Sequence, residues 1–479
     1  LSLLLGFFVF LWSKELYGER SGWLALFLYA FSPNILAHSR LATQDLGLAV
    51  TMFICSYYFY RFMEAPALKP LLLCGLLFGF ALLTKITALF LLPIFLIYAF
   101  YSLITNSSLG IFEMFPGVAR ISSQRARLRQ LVSLCFVILA CGLLALLVIN
   151  IGYGFQDTLL PLSDDDNHPT AYNRLPINIA ATRWATDIIL ETPVPIPSPY
   201  VSLLKFQFTL RKSLGGVYFA GDYHFPGLWY LMLATFALKT PIPLLLLVLI
   251  SIGFLVAQRQ PRSAEWLCII FVASLLIVFS FFSNVGAGLR YILPIYPFLF
   301  VLASRLMTLT WSRPRLANVG LLVLLTWYLL GTGLVYPNYL AYFNELIGGP
   351  KNGYKYLTDS NVDWGQDLKA LKVYMENNQL HKIQLGYFGS GDASYYGIDY
   401  EYLPSVGLAP QKPGEYWWYE MDTEDKRRMT PRKGVIAVSA TLLASPQWLR
   451  PLFYDSYQWL REHEPVDQVG HSILIFKID

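Results

Sequence analysis

The chain has 479 residues, 55% of them hydrophobic, 16% aromatic and only 14% charged, a composition that excludes an ordinary soluble protein of this length. Its formal net charge of +5 calls for no nucleic acid, because the excess Lys and Arg fall in short loops between apolar runs, where anionic lipid is the natural neighbour. The five cysteines all lie inside apolar runs, and no CxxC metal pattern or disulfide framework is present.

Apolar runs of about 15–22 residues recur along the chain and predict a polytopic α-helical membrane protein with about ten spans. The expected spans are roughly 1–13, 22–37, 46–62, 70–84, 86–104, 131–152, 240–257, 264–283, 291–308 and 316–335. A chain that opens at Leu1 without Met, already inside an apolar run, reads as the interior of a longer protein. Alternate connections carry the basic residues: Lys14 and Arg20, Arg61 and Lys69, Arg120 to Arg129, Arg259 and Arg262, then Arg305, Arg313 and Arg315. That asymmetry makes their side cytoplasmic and the opposite side external.

The external side then holds a long loop, 153–239, and everything after about 336. The loop is rich in Pro and aromatics, carries the acidic run Asp164, Asp165, Asp166, and includes YVSLLKFQFTLRKSL, which mixes apolar and basic residues as an interfacial helix does. The aspartate run lacks the spacing of a calcium loop and reads as a solvated face. The segment 336–479 is soluble in composition and long enough for a small α/β domain. DWGQDLKALKVYMENN predicts a helix, and HKIQLGYFG, KGVIAVSA and HSILIFKID predict strands. Asp359, Asp363 and Asp367 suggest a metal or acid–base cluster, but the simpler account is local: Asp363 and Gln366 have the spacing of a capping box, and acids favour the first turn of the helix that follows. The six histidines are scattered without zinc spacing.

Ionisable residues at the external ends of the spans suggest a site that handles charge. SRLATQD places Arg40 and Asp45 there beside His38. Asp45 is either a general base or an N-cap for the helix it precedes, and Arg40 either grips a phosphate or pairs with Asp45. Lys85, between two apolar runs with almost no polar linker, either snorkels to headgroups or contacts a phosphate. Arg290, followed by Tyr291, has the same two readings, and Lys239 in ALKTPIP is a fourth external cation. Together the four cations would suit an anionic lipid-linked group.

The segments SRLATQD, ALLTKITALFLLP, GLWYLMLATFALKTPIPLLLL, LRYILPIYPFLF and YLAYFNELIGGPKNGYKYLTDSNVDWGQDLK resemble the bacterial membrane glycosyltransferases of family 39. These are relatives of the protein O-mannosyltransferases and the aminoarabinose transferase, within the C-type glycosyltransferase superfamily. The resemblance runs through nearly the whole chain, GYFGSGDASYYGI and HSILIFKI included, and the last long motif is its most specific part. It implies the C-type fold, with residues 1–335 as the membrane domain and 336–479 as a small periplasmic α/β domain. It also implies transfer of a sugar from a polyprenyl-phosphate donor to an acceptor on the external face of a bacterial inner membrane.

On this resemblance Asp45 matches the acidic residue of the second external loop and Arg40 accompanies it. Lys85 matches the LLTKG-like lysine, with Ile86 in place of the usual glycine, and Arg290 matches the RYLLP-like arginine. Arg40, Lys85, Arg290, Tyr291 and Lys239 are then expected around the carrier phosphate, with Asp45 as the catalytic carboxylate and no metal or other cofactor required. One departure stands out. Family members usually open with one more span and a first external loop whose acidic residue, often Asp-Glu, is the base, and nothing in 1–13 supplies it. The base therefore lies upstream of Leu1 or is lost, and the alternative to an enzyme is a non-catalytic subunit that retains the fold within a larger membrane assembly. The expected partners are membrane lipid, the polyprenyl-phosphate donor, a protein, lipid or glycan acceptor and other membrane subunits.

Overall fold

The computed structural model describes residues 1–105, 126–160, 193–204, 217–224, 227–258, 262–282, 288–310, 312–403, 433–444, 457 and 459–479. Asp164 to Asp166, Arg120, Arg125, Arg259 and most of the interfacial stretch after Leu204 lie outside them.

The membrane unit begins with α1 (Ser2–Tyr17), α2 (Glu19–Ala30) and α3 (Pro33–Ser39). Gly18, at φ +94°, makes the reversal between α1 and α2, a backbone conformation that a side chain would resist. The expected span 22–37 is in fact two helices. Pro33 cannot extend a preceding helix but opens a new one well, and the Ser32 hydroxyl accepts from Ile35 N at 3.4 Å as its cap. Next come α4 (Gln44–Glu64), α5 (Leu68–Thr84), α6 (Leu91–Ile104) and α7 (Ala126–Gly152). Gly75 and Gly79 let α5 lie directly against α7: a Cβ at Gly79 would sit 2.6 Å from Val148 Cβ and 2.9 Å from Ala145 Cα. This is the small-xxx-small packing that membrane helices use where apolar burial alone gives no drive to associate.

After the long connection, α8 (Leu231–Lys239) and α9 (Ile242–Gln258) are bent by 108° at Thr240 and Pro241. The unit closes with α10 (Ser263–Phe281), α11 (Tyr296–Ser304) and α12 (Pro314–Gly333). Among the described residues four helices are long and apolar enough to cross a membrane, or five if the bent pair is one span. Three shorter apolar helices, Leu68–Thr84, Ile86–Ser102 and Leu293–Thr308, accompany them. The expected count of ten is not reached among the described residues because Pro33 divides the expected span 22–37 and the helices Ser2–Tyr17, Leu68–Thr84 and Leu91–Ile104 are shorter than the ~20 residues of a full span. Trp12, Phe53, Phe271 and Phe298 form the aromatic centre of the unit.

Among the described residues Arg61, Arg262 and Arg305 gather at one end, around the C-terminal part of α1. Arg61 pairs with Glu15 at 3.0 Å, Arg305 Nε with the buried Glu265 at 2.7 Å, and Tyr17 donates to the same carboxylate at 2.9 Å. His38, Asp45, Lys85, Lys239 and Arg290 converge at the other end.

The tail contains the expected helix and strands. Its five-stranded sheet has the order β4-β3-β5-β7-β6, with β3 Ile383–Gly386, β4 Tyr400–Tyr402, β5 Gly434–Ser439, β6 Asp467–Val469 and β7 Ile473–Ile478. β3 runs parallel to β4 and β5, β7 antiparallel to β5 and β6, and a helix, α13 (Leu368–Asn377), packs Leu371 and Met375 on one face. A separate hairpin pairs β1 (Val217–Phe219) with β2 (Asp222–His224). The capping box is not formed. α13 starts only at Leu368, and Asp363 instead accepts from Gly365 N at 2.9 Å while Gln366 accepts from Trp364 N at 2.7 Å, closing a tight turn. Gly365, at φ +72°, lets the chain turn back before the helical register begins.

Candidate functional site

Asp45 stands in the first turn of α4, where a carboxylate is stabilised by the helix dipole. Its Oδ1 accepts from Lys85 Nζ at 2.7 Å. Lys85 can reach it because α5 ends there: Lys85 is extended (φ −160°, ψ 136°) and only afterwards does a short 3₁₀ turn, Ile86–Phe90, lead into α6. The Asp45 side chain is 3% exposed and that of Lys85 17%, so the carboxylate is closed off while the lysine keeps limited access. An ammonium has three N–H donors and this carboxylate takes one.

Lys85 Nζ also lies 4.1 Å from the Tyr291 ring centroid. Tyr291 belongs to the 3₁₀ turn Gly288–Tyr291 that precedes α11, and Arg290 of the same turn has its guanidinium 5.5 Å from the Tyr291 ring and 5.1 Å from the Trp364 ring. Both cations thus lie within cation–π distance of the Tyr291 ring. Arg290 Nε is buried without a hydrogen-bond partner. So is His38 Nδ1, on a side chain within electrostatic reach of Asp45, Lys239, Arg290 and Lys85. An unpaired buried guanidinium N–H is costly, so Arg290 Nε marks a place where an anionic ligand would be stabilised.

The tail completes this end. Asn361 Oδ1 accepts from Leu289 N at 3.1 Å, and the Asn361 carbonyl accepts from Lys239 Nζ. Gly288, at φ +69°, has no room for a Cβ because the Asn361 amide occupies that space. Asp359, two residues earlier, is fixed by a hydrogen bond from its N–H to Thr441 Oγ1 at 3.0 Å, and it faces Arg290 electrostatically. Burial raises its carboxyl above the usual range and Arg290 pulls it back.

The predicted residues therefore separate. Asp45, Lys85, Arg290 and Tyr291 come together. Lys239 is 2% exposed, at the elbow between α8 and α9, and donates to Leu340 O at 2.7 Å as well as to Asn361 O, with the Phe343 ring 4.6 Å away. Its donors are committed to holding the tail, which removes it from a ligand-facing position. Arg40 is exposed and donates to Pro337 O at 2.8 Å. It is a tether to the start of the tail and not the partner of Asp45. Asp359, Asn361 and Trp364 were not singled out as site residues by sequence. The only signal was that they belong to the long motif TDSNVDWGQD, whose acids have a local explanation. Among the described residues no three His, Cys, Asp or Glu side chains group together as a metal site would require.

Residues 1–115 match the dolichyl-phosphate-mannose-protein mannosyltransferase family. No curated protein matches the chain significantly. The matched segment runs from α1 to beyond α6 and contains Arg40, Asp45 and Lys85. It stops far short of Arg290, Tyr291 and the tail loop, so the match bears on one wall of the site and the geometry supplies the other.

Proposed function

We propose that this protein transfers a sugar from a polyprenyl-phosphate donor to an acceptor at the external face of a bacterial inner membrane. The observation that carries the reading is the cluster of cations itself: Lys85 and Arg290 both lie near the Tyr291 ring, and Arg290 Nε is buried without a hydrogen-bond partner. The similarity of residues 1–115 to mannosyltransferases supports a lipid-linked phosphosugar as the occupant.

In this reading the acceptor oxygen attacks the anomeric carbon and the bond to the carrier phosphate breaks with inversion. Lys85 and Arg290 stabilise the charge that grows on the leaving phosphate, and positioned cations in a water-poor site are worth most at that moment. Asp45 keeps Lys85 extended toward the cleft. The chemistry needs no metal, because the two cations supply the charge.

The test uses membranes containing the full-length protein and polyprenyl-phosphate carrying radiolabelled mannose, with the glucose and aminoarabinose analogues as alternatives. Transfer of label out of the donor is expected, with Arg290→Ala slower by about 10²–10³-fold, as when one charge-stabilising group is removed. Turnover undiminished in Arg290→Ala and Lys85→Ala would refute the site. Binding of the donor with no transfer by the wild type would favour the scaffold subunit instead.

A further inference from the structure

We infer that the cavity between the hairpin β1–β2 and the tail sheet is a second binding site, one that takes an acidic saccharide. The site is independent of the transfer reading above, and it gives the tail a ligand of its own.

The cavity measures about 490 Å³, within the range of roughly 300–1,000 Å³ typical of small-molecule sites. Three stretches far apart in the chain enclose it: the hairpin, the segment 354–356 and the end of the tail. Its shape is held by the protein's own hydrogen bonds. Ala220 N donates to Tyr356 O at 3.1 Å, and Tyr218 Oη donates to Lys355 O at 3.3 Å. Arg461 Nη1 donates to Leu443 O, which holds the guanidinium at the wall, and the buried Leu443 and Phe476 add apolar surface.

The lining chooses the class of ligand. Lys355 and Arg461 set two positive charges against the one carboxylate of Glu464, so the balance favours an anionic group. A guanidinium matches a carboxylate or phosphate in geometry as well as in charge. Tyr218 and Tyr354 supply flat rings with polar edges, which suit a pyranose: its C–H face packs on an aromatic ring while its hydroxyls need hydrogen-bonding partners. An extended peptide fits less well, because it would add to a free sheet edge. The tail strands at this cavity are β5, through Ala440 just past its end, and β7, through Phe476, both interior in the order β4-β3-β5-β7-β6. The hairpin strands, of three residues each, are a short template.

The segments that line the cavity also carry the loop that packs on the Gly288–Tyr291 turn. Tyr356 and Ala440 belong to the lining, and just beyond them Asp359 N donates to Thr441 Oγ1 at 3.0 Å, joining the same two segments. From that loop Asn361 Oδ1 accepts from Leu289 N, next to Arg290. A saccharide seated here is thus held at the end of the membrane unit where Lys85 and Arg290 lie.

The test uses the full chain in detergent and measures, by calorimetry, the binding of three probes: a disaccharide ending in glucuronate, neutral maltose and a tripeptide of glutamates. The glucuronate disaccharide should bind about tenfold more tightly than either of the others, the factor that one charge-assisted hydrogen bond supplies. Lys355→Gln should weaken its binding by about the same factor, and Ala444→Phe, which places a ring in the cavity, should abolish it. Should Ala444→Phe lower the unfolding midpoint, Lys355→Gln, whose side chain is exposed, still decides the matter. Maltose bound as tightly as the glucuronate disaccharide overturns the acidic character of the ligand, and a tripeptide bound more tightly overturns the saccharide. Glucuronate disaccharide that does not bind, or binds undiminished to Lys355→Gln, overturns the site.

Discussion

Replacing Lys85 by Met removes the ammonium and keeps most of the volume of its stem. At 2.7 Å and an effective dielectric of about 20, the Asp45–Lys85 attraction is about 6 kcal/mol before desolvation is subtracted. Because the Asp45 side chain is 3% exposed, it cannot turn to water when its partner goes, and the variant should lose about 3–5 kcal/mol, the usual cost of orphaning a buried charge. Asp45→Leu should cost less, since Lys85 is open enough to reach solvent. The double variant Asp45→Leu/Lys85→Met should recover to within about 1 kcal/mol of the wild type, because a well-packed apolar pair can replace a buried ion pair. Thermal unfolding of the detergent-solubilised protein measures all three, and binding of polyprenyl phosphate is measured alongside. The double variant should be stable and still fail to bind the carrier. If Lys85→Met is no less stable than the wild type, or if the double variant merely adds the two losses, Asp45 and Lys85 are not a buried ion pair.

Other outcomes follow from the same contacts. Gly288→Ala meets both the left-handed backbone and the Asn361 amide, and should lower stability by about 2–4 kcal/mol from backbone strain and a lost buried hydrogen bond, read as a fall in the unfolding midpoint. Gly79→Val should separate α5 from α7 and destabilise the membrane unit by about 1–3 kcal/mol, the usual cost of overpacking, whereas the same change at Gly142, which has open space around it, should be nearly silent. Burial pushes the Asp363 carboxyl up to about 8, so the folded tail binds a proton that the unfolded chain releases near the ordinary carboxylate range. Its contribution is present below that range and lost as pH rises through about 8. Hydrogen exchange in the tail strands should therefore quicken toward alkaline pH beyond the intrinsic rate, and Asp363→Asn should remove much of that extra dependence.

What could be read in advance follows from how far apart in the chain the partners are. Segments whose character is local, such as the alternating HSILIFKID or the helix around LKALKVYMEN, appear where the residues predict them. So does the separation of the basic loops from Lys85 and Arg290, which apolar runs of fixed length impose. The site is different. Asp45 and Lys85 are forty residues apart in sequence, and Lys239 meets carbonyls 101 and 122 residues away. No pattern in either segment reveals that Lys239 will be consumed by backbone while Lys85 stays open to the cleft. The aspartates of TDSNVDWGQD are local in role, as their spacing suggests, but in a turn ahead of the helix and not in a capping box. Gly365 instead turns the backbone before the helix begins, and Asp363 accepts from its N–H within that turn.

The grip of Lys239 on Leu340 O and Asn361 O also bears on how the protein is made. The lysine belongs to a helix pair that enters the membrane long before those carbonyls are synthesised. Until the tail has emerged and come down on the elbow, its ammonium has no such partners in a region short of water. The Leu289 N–H likewise waits for Asn361. Completion of the membrane unit is thus tied to arrival of the last third of the chain, and a protein arrested before that point would carry an unpaired charge at the elbow, a feature by which quality control could tell an unfinished molecule from a finished one.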